Sequence, residues 1–135
     1  MRLNQASDFA LRILMLLATK KEPTTVEVIA RELHLVKSHV MKIVAKLVKA
    51  RLLISHRGRS GGVSLGKSAE EIIVGDVIRE IEADFAIVEC MQNKTSSCTF
   101  TPQCRLKGAM IDARAAFLSV LDSHTLKSIT PSLNE

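Results

Sequence analysis

Apolar residues recur at helical spacing between Leu3 and Lys20, where Phe9, Ile13, Leu16 and Leu17 share one stripe, and this pattern predicts an amphipathic helix. Lys21, Glu22 and Pro23 stop it. Thr24 or Thr25 offers a side-chain oxygen to cap the next helix, with Glu27 in its first turn. That second helix, roughly Val26 to Leu33, is short, and His34 and Leu35 make a tight turn after it. A third helix runs from about Lys37 to Ala50. Its apolar positions Val40, Ile43, Val44, Leu47 and Val48 follow the i, i+3, i+4, i+7, i+8 rule, and His39, Lys42, Lys46 and Lys49 occupy the other face.

The period then shortens. Leu52 to Ser55 reads as a strand, Arg57-Gly58-Arg59-Ser60-Gly61-Gly62 as a turn, and Val63, Ser64 and Leu65 as the returning strand. Helix, short helix, tight turn, basic helix and a hairpin with a cationic tip together make a winged helix-turn-helix pattern. Beyond the wing, Ser68 to Glu71 leads into a helix near Val74 to Glu82, and a polar cysteine-bearing stretch follows. The last long helix spans Arg105 to about Ser123, with Leu106, Ala109, Met110, Ala113, Phe117, Val120 and Leu121 as its apolar stripe. So much apolar surface beyond a small winged domain is most simply covered by a second copy of the same helix in a symmetric homodimer. The expected fold is therefore mainly α with a small β-hairpin wing. Residues 1–66 form a winged helix-turn-helix, 67–104 a connecting helix and cysteine loop, and 105–135 a dimerisation helix and tail.

Charge sharpens this picture. The net charge of +5 is uneven: residues 1–60 hold twelve Lys/Arg against four Asp/Glu, a net +8, and residues 61–135 hold seven against ten, a net −3. A basic half beside an acidic half places a nucleic-acid footprint in the first sixty residues. In a helix-turn-helix the second paired helix enters the major groove with its N-terminal residues at the base edges. Those are Lys37, Ser38, His39 and Lys42, with Lys46 and Lys49 further along for the backbone. Arg57, Arg59 and Ser60 on the wing tip are placed for the adjacent minor groove or phosphates, and Gly58, Gly61 and Gly62 permit a close approach. The expected partner is double-stranded DNA carrying a palindromic operator.

Hydrophobic residues make up 47% of the 135-residue chain, ample for a core, although aromatics are limited to four phenylalanines. The longest apolar runs fall far short of a membrane span, and the N-terminal stretch carries Asp8 and Arg12, unlike a signal peptide. A cytoplasmic protein is expected, in which thiols stay reduced. There is no glycine-rich nucleotide loop, nucleophile elbow or acid/base pair to suggest an enzyme.

The chain's three cysteines, Cys90, Cys98 and Cys104, fall within fifteen residues. Clustered thiolates select zinc or iron–sulfur clusters. Spacings of seven and five intervening residues leave slack for three sulfurs to converge, Pro102 stiffens the approach, and Cys104 directly precedes a helix whose N-terminus favours a thiolate. The close cysteine pairs of structural zinc sites are missing, and free thiols without a cofactor remain an alternative. Three is one short of the usual four ligands.

Four stretches carry a resemblance over nearly the whole chain: MRLNQASDFALRILMLLA at the start, the wing RGRSGGVSL, the helix entry IIVGDVIREIE, and VEC through CRLKGAM. Together they resemble the iron–sulfur winged-helix family of transcriptional regulators, and within it the nitric-oxide-sensing repressors. The resemblance implies a 4Fe–4S cluster (2Fe–2S as the alternative) held by Cys90, Cys98 and Cys104, and nitric oxide as the signal. It also implies a fourth ligand in the first helix of the other subunit, at the position of Asp8. A carboxylate in a helix's first turn is favourable on its own account as well. Arg12, one turn on, is placed to pair with Asp8 or to contact the cluster's surroundings. Another branch of the family uses a histidine three residues after the last cysteine, where this chain has Lys107. An iron-sensing branch shares similar cysteine spacing, so sensing of iron supply or cluster status, or a cofactor-free thiol switch, stands beside nitric-oxide sensing.

Overall fold

The computed structural model describes residues 1–92, 97–101 and 103–132; Pro102 lies outside them. The helices are α1 (Gln5–Ala18), α2 (Val26–Leu33), α3 (Lys37–Lys49), α4 (Val74–Ile81), α5 (Arg105–Asp122) and a single turn α6 (Leu126–Ile129), and strands β1 (Leu53–His56) and β2 (Gly62–Leu65) pair between α3 and α4. A 3₁₀ turn covers Glu89–Met91. Among the described residues no helix is long and apolar enough to cross a membrane.

The helix ends have local causes. Asn4 caps α1 by accepting from the Ser7 N–H at 2.7 Å, so Leu3 and Asn4 lie before the helix rather than in it. Thr25, not Thr24, caps α2. Thr24 is instead buried and exchanges two backbone hydrogen bonds of 2.9 Å with Val63, adding a third, bridge-length strand to the wing. At the end of α2, His34 takes a left-handed conformation (φ 55°), Leu35 N–H reaches back to Ala30 O at 2.9 Å, and the chain turns into α3.

The same closing motif ends α3. Arg51 has φ 62°, and Leu52 N–H donates to Leu47 O at 2.9 Å. Leu52 is thereby engaged in stopping the helix, which moves the start of the strand to Leu53. A side chain in the left-handed region is strained by its Cβ. Arg51→Gly is expected to raise the unfolding free energy by about 0.5–1 kcal/mol, net of the entropy glycine adds to the unfolded chain, as read by chemical denaturation.

One core holds the molecule together. Ile13, Leu14, Ile29, Val40, Leu47, Leu53, Ile72, Val77 and Leu126 are buried in a single cluster drawn from α1, α2, α3, the wing, α4 and α6. The role of α6 was not legible in the sequence. Leu126 is fully buried, its N–H donates to Ile72 O at 2.8 Å, and α6 packs on α1, so the chain returns from α5 to the core of the reading head.

The base of α5 is fastened to α4. Arg79 donates two 2.7 Å hydrogen bonds to the Asp122 carboxylate, and Val74 N–H donates to His124 O at 3.0 Å. The guanidinium holds the Asp122 carboxyl below its ordinary value, and the carboxylate in turn raises Arg79. Gly75 permits this contact, because a Cβ there would collide with the Asp122 carboxylate.

Candidate nucleic-acid interface and cysteine segment

The reading face is built on α3. Val40, Ile43, Val44 and Leu47 anchor the helix in the core. That turns Lys37, Ser38, His39, Lys42, Lys46 and Lys49 to solvent, as the spacing predicted. Two apolar residues share this surface and were missed by the sequence reading. Met41 is 54% exposed and Val36, at the N-cap of α3, is 60% exposed. A helical wheel places Met41 beside Lys37 and Ser38, so the signal was present but obscured by attention to charge. Exposed methyl groups of this kind suit thymine methyls in a major groove.

Lys37 is not an unattached cation. Its Nζ lies 2.7 Å from the Glu27 carboxylate in the first turn of α2, and this contact holds the Glu27 carboxyl below its ordinary range. The wing tip carries Arg57, Arg59 and Ser60, all exposed. Gly58 (φ 98°) shapes the tip, with Gly61 N–H returning to Gly58 O at 3.0 Å. Across the hairpin the His56 ring nitrogen and Ser64 Oγ lie 2.7 Å apart. The base of the wing depends on Gly62 (φ 134°), where a Cβ would come within 2.6 Å of the Thr24 backbone.

The cysteine segment leaves α4 at Glu82. That residue's carboxylate accepts from Ser7 Oγ at 2.5 Å and faces Asn4 N–H at 3.3 Å, tying the start of α1 to the end of α4. No local pattern announces a bond between residues 75 positions apart. Cys90 and Cys104 are half-buried, Cys98 is exposed, and none of the three is in a disulfide. Cys104 is the N-cap of α5, and its Sγ accepts from Lys107 N–H at 3.4 Å. The expectation of a helix N-terminus behind this thiol is met. Asp8 sits in the first turn of α1, half-exposed, and accepts two hydrogen bonds from Arg12 at 2.9 and 2.7 Å. The Arg12 guanidinium also lies over the Phe9 ring, 5.7 Å from its centroid. Within one chain, and among the described residues, no group of three His, Cys, Asp or Glu is arranged to hold a metal ion.

The Rrf2 family of iron-dependent transcriptional regulators matches residues 3–132. The chain belongs to the Rrf2 family. The HTH-type transcriptional regulator NsrR of Bacillus licheniformis is 40% identical over 131 residues, covering 96% of this chain and 92% of that one. NsrR of Bacillus subtilis is 37% identical over 96% of this chain and 90% of its own length. Among solved structures, CymR, the global cysteine regulator of B. subtilis, superposes with a TM-score of 0.79 at 29% identity, covering 100% of this chain and 99% of its own. IscR of T. potens shares the fold, with a TM-score of 0.74. As an Rrf2 regulator the protein is a DNA-binding transcriptional regulator with a winged helix-turn-helix, and α3 and the hairpin tip are its cationic surfaces.

Proposed function

We propose that this Rrf2 regulator is a repressor whose hold on a palindromic operator is set by an iron–sulfur cluster, 4Fe–4S rather than 2Fe–2S, that reacts with nitric oxide. The observation that carries the reading is the thiol set. Three cysteines outside any disulfide lie on one segment, and one of them caps a helix, in a chain 40% identical to a regulator named NsrR. Soft thiolates at this spacing suit cluster iron, so the donor chemistry fits the group. Cys90, Cys98 and Cys104 would hold it, with Asp8 of the partner subunit as fourth ligand. When bound, the cluster supplies iron sites that nitric oxide can ligate.

The chain's own residues define how that chemistry reaches DNA. The Lys107 N–H in the first turn of α5 points at the Cys104 sulfur and fixes its place at the head of that helix. The Asp8 carboxylate is a harder ligand than thiolate, and in the single chain its two oxygens accept from Arg12. Its weak hold makes the fourth position the natural point of entry for the signal. Asp8 lies on α1, which packs against α3 in the same core, so a change at Asp8 acts on the helix that reads DNA. Signalling requires that the cluster-bound dimer prefer the DNA-competent arrangement.

Dimerisation follows from α5. Among its described residues none is buried, and Leu106, Ala109, Ala113, Phe117 and Val120 form an exposed apolar row. Met110 and Leu121, which the sequence placed on the same stripe, are half-buried, so the helix carries two apolar rows rather than one. A second copy is the occupant that a symmetric oligomer supplies to the exposed row.

Two experiments test this function. Asp8→Ala removes an exposed ion pair and a first-turn acid, changes worth together at most about 1 kcal/mol of folding. Cluster loss or a slowed nitric-oxide response far beyond that cost is expected; an unchanged absorption spectrum and response would remove Asp8 from the ligand set. At the DNA end, Lys42→Ala and Arg59→Ala should each weaken binding several-fold and flatten the salt dependence by about 0.9 in log–log slope. Wild-type slopes in both variants would contradict docking through α3 and the wing. The family's description as iron-dependent favours a second reading, regulation by iron supply. Under that reading chelation, and not nitric oxide, would change affinity.

A further inference from the structure

We infer that Glu27 is an affinity-limiting residue: its carboxylate engages Lys37 at the head of α3 and lowers attraction to DNA of any sequence. The inference rests on the docking of α3 proposed above and goes beyond it, because an acid beside the reading helix has no place in a merely cationic footprint.

Lys37 is the first residue of α3, and its Nζ lies 2.7 Å from Glu27 Oε1. Both side chains are more than half exposed, so the pair stands at the solvent surface that DNA would cover. Of the other three acids in the first sixty residues, two are engaged elsewhere. Asp8 pairs with Arg12 on α1, and Glu32 pairs with Lys20. Among the described residues, Glu27 is the acid paired with a lysine of the reading helix.

As an exposed pair, Glu27–Lys37 is worth little to the fold, of order 0–1 kcal/mol. Its position gives it a different weight. The hydrogen bond from Lys37 holds the Glu27 carboxyl below its ordinary range. On DNA, either the pair persists and Lys37 neutralises no phosphate, or Lys37 turns to the DNA and leaves a carboxylate unpaired near the phosphates. Each outcome removes about one cation's worth of counterion release. Binding to random DNA is almost wholly electrostatic and bears this loss in full. At the operator, base contacts from Ser38, Lys42 and their neighbours add to this electrostatic term without changing it, so the loss is a similar factor there. The Glu27 carboxylate also keeps the Lys37 side chain pointing across the head of α3 toward α2.

The test uses full-length protein, purified anaerobically and compared at equal iron content. The probes are a random-sequence duplex and a duplex selected by the wild-type protein from a randomised pool. Glu27→Gln is expected to raise affinity for the random duplex about eightfold at 0.1 M salt, with a log–log salt slope steeper by about 0.9. Affinity for the selected duplex should rise by a similar factor. Thermal unfolding should be little altered by the change. Unchanged or lower affinity for the random duplex in Glu27→Gln overturns the inference. Failure of the underlying docking is read separately, from a wild-type salt slope in Lys42→Ala.

Discussion

Cys104→Ser is expected to give a folded, colourless protein that no longer answers nitric oxide. The substitution separates two roles that meet in one side chain. Cys104 caps α5 by accepting from Lys107 N–H, and serine is among the best residues for that task. The cap is therefore kept or strengthened, and the unfolding free energy should stay level or rise by up to about 1 kcal/mol. The ligand role does not survive, because an alkoxyl oxygen replaces a soft thiolate. Iron content after anaerobic purification should fall to a small fraction of wild type, and DNA affinity should become insensitive to the gas. Full iron content in this variant would remove Cys104 from the site. The same logic makes serine a more informative replacement than alanine, which would damage the helix start and the site together.

The second large effect concerns the wing. Gly62→Ala should lower the unfolding free energy by about 3 kcal/mol and weaken DNA binding at the same time. Gly62 has φ 134°, a region that side chains rarely enter, and the added Cβ would stand 2.6 Å from the Thr24 carbonyl carbon and oxygen. The relief available is to part the Thr24–Val63 bridge, which loses two 2.9 Å hydrogen bonds and frees the wing from the start of α2. Against a total stability of about 5–15 kcal/mol this is a large fraction. Denaturant titration gives the first effect and a salt-dependent binding isotherm the second. A variant with wild-type stability would show that the wing base tolerates a side chain.

These two positions also mark what was legible in the sequence. Helical spacing located α1, α3 and α5 to within a residue or two, because each carries a long apolar stripe whose burial in the core, or exposure on α5, follows directly from its period. The cationic face of α3 and the wing tip were readable for the same reason. What escaped was every feature made by residues far apart in the chain. The Thr24–Val63 bridge, the Ser7–Glu82 tie and the return of Leu126 to the core have no local signature. Glu27 was visible as a first-turn acid, a reading that is correct but incomplete. Its engagement of Lys37 depends on the His34 turn, which brings the start of α3 beside the start of α2. For the cysteines, the sequence supplied the donors and their order, and the helix behind Cys104 is present. Asp8 came from resemblance, and its bond to Arg12 is what the single chain adds.

The central claim is that a cluster on the cysteine segment controls DNA binding and that nitric oxide acts through it. The most direct measurement titrates nitric oxide into the anaerobically purified protein while native mass spectrometry follows the cluster and fluorescence anisotropy follows a selected operator duplex. The account predicts that a cluster mass is present at the outset and that operator affinity falls in step with its modification. Intact operator binding after the cluster has fully reacted, or a protein that never carries a cluster, would contradict it.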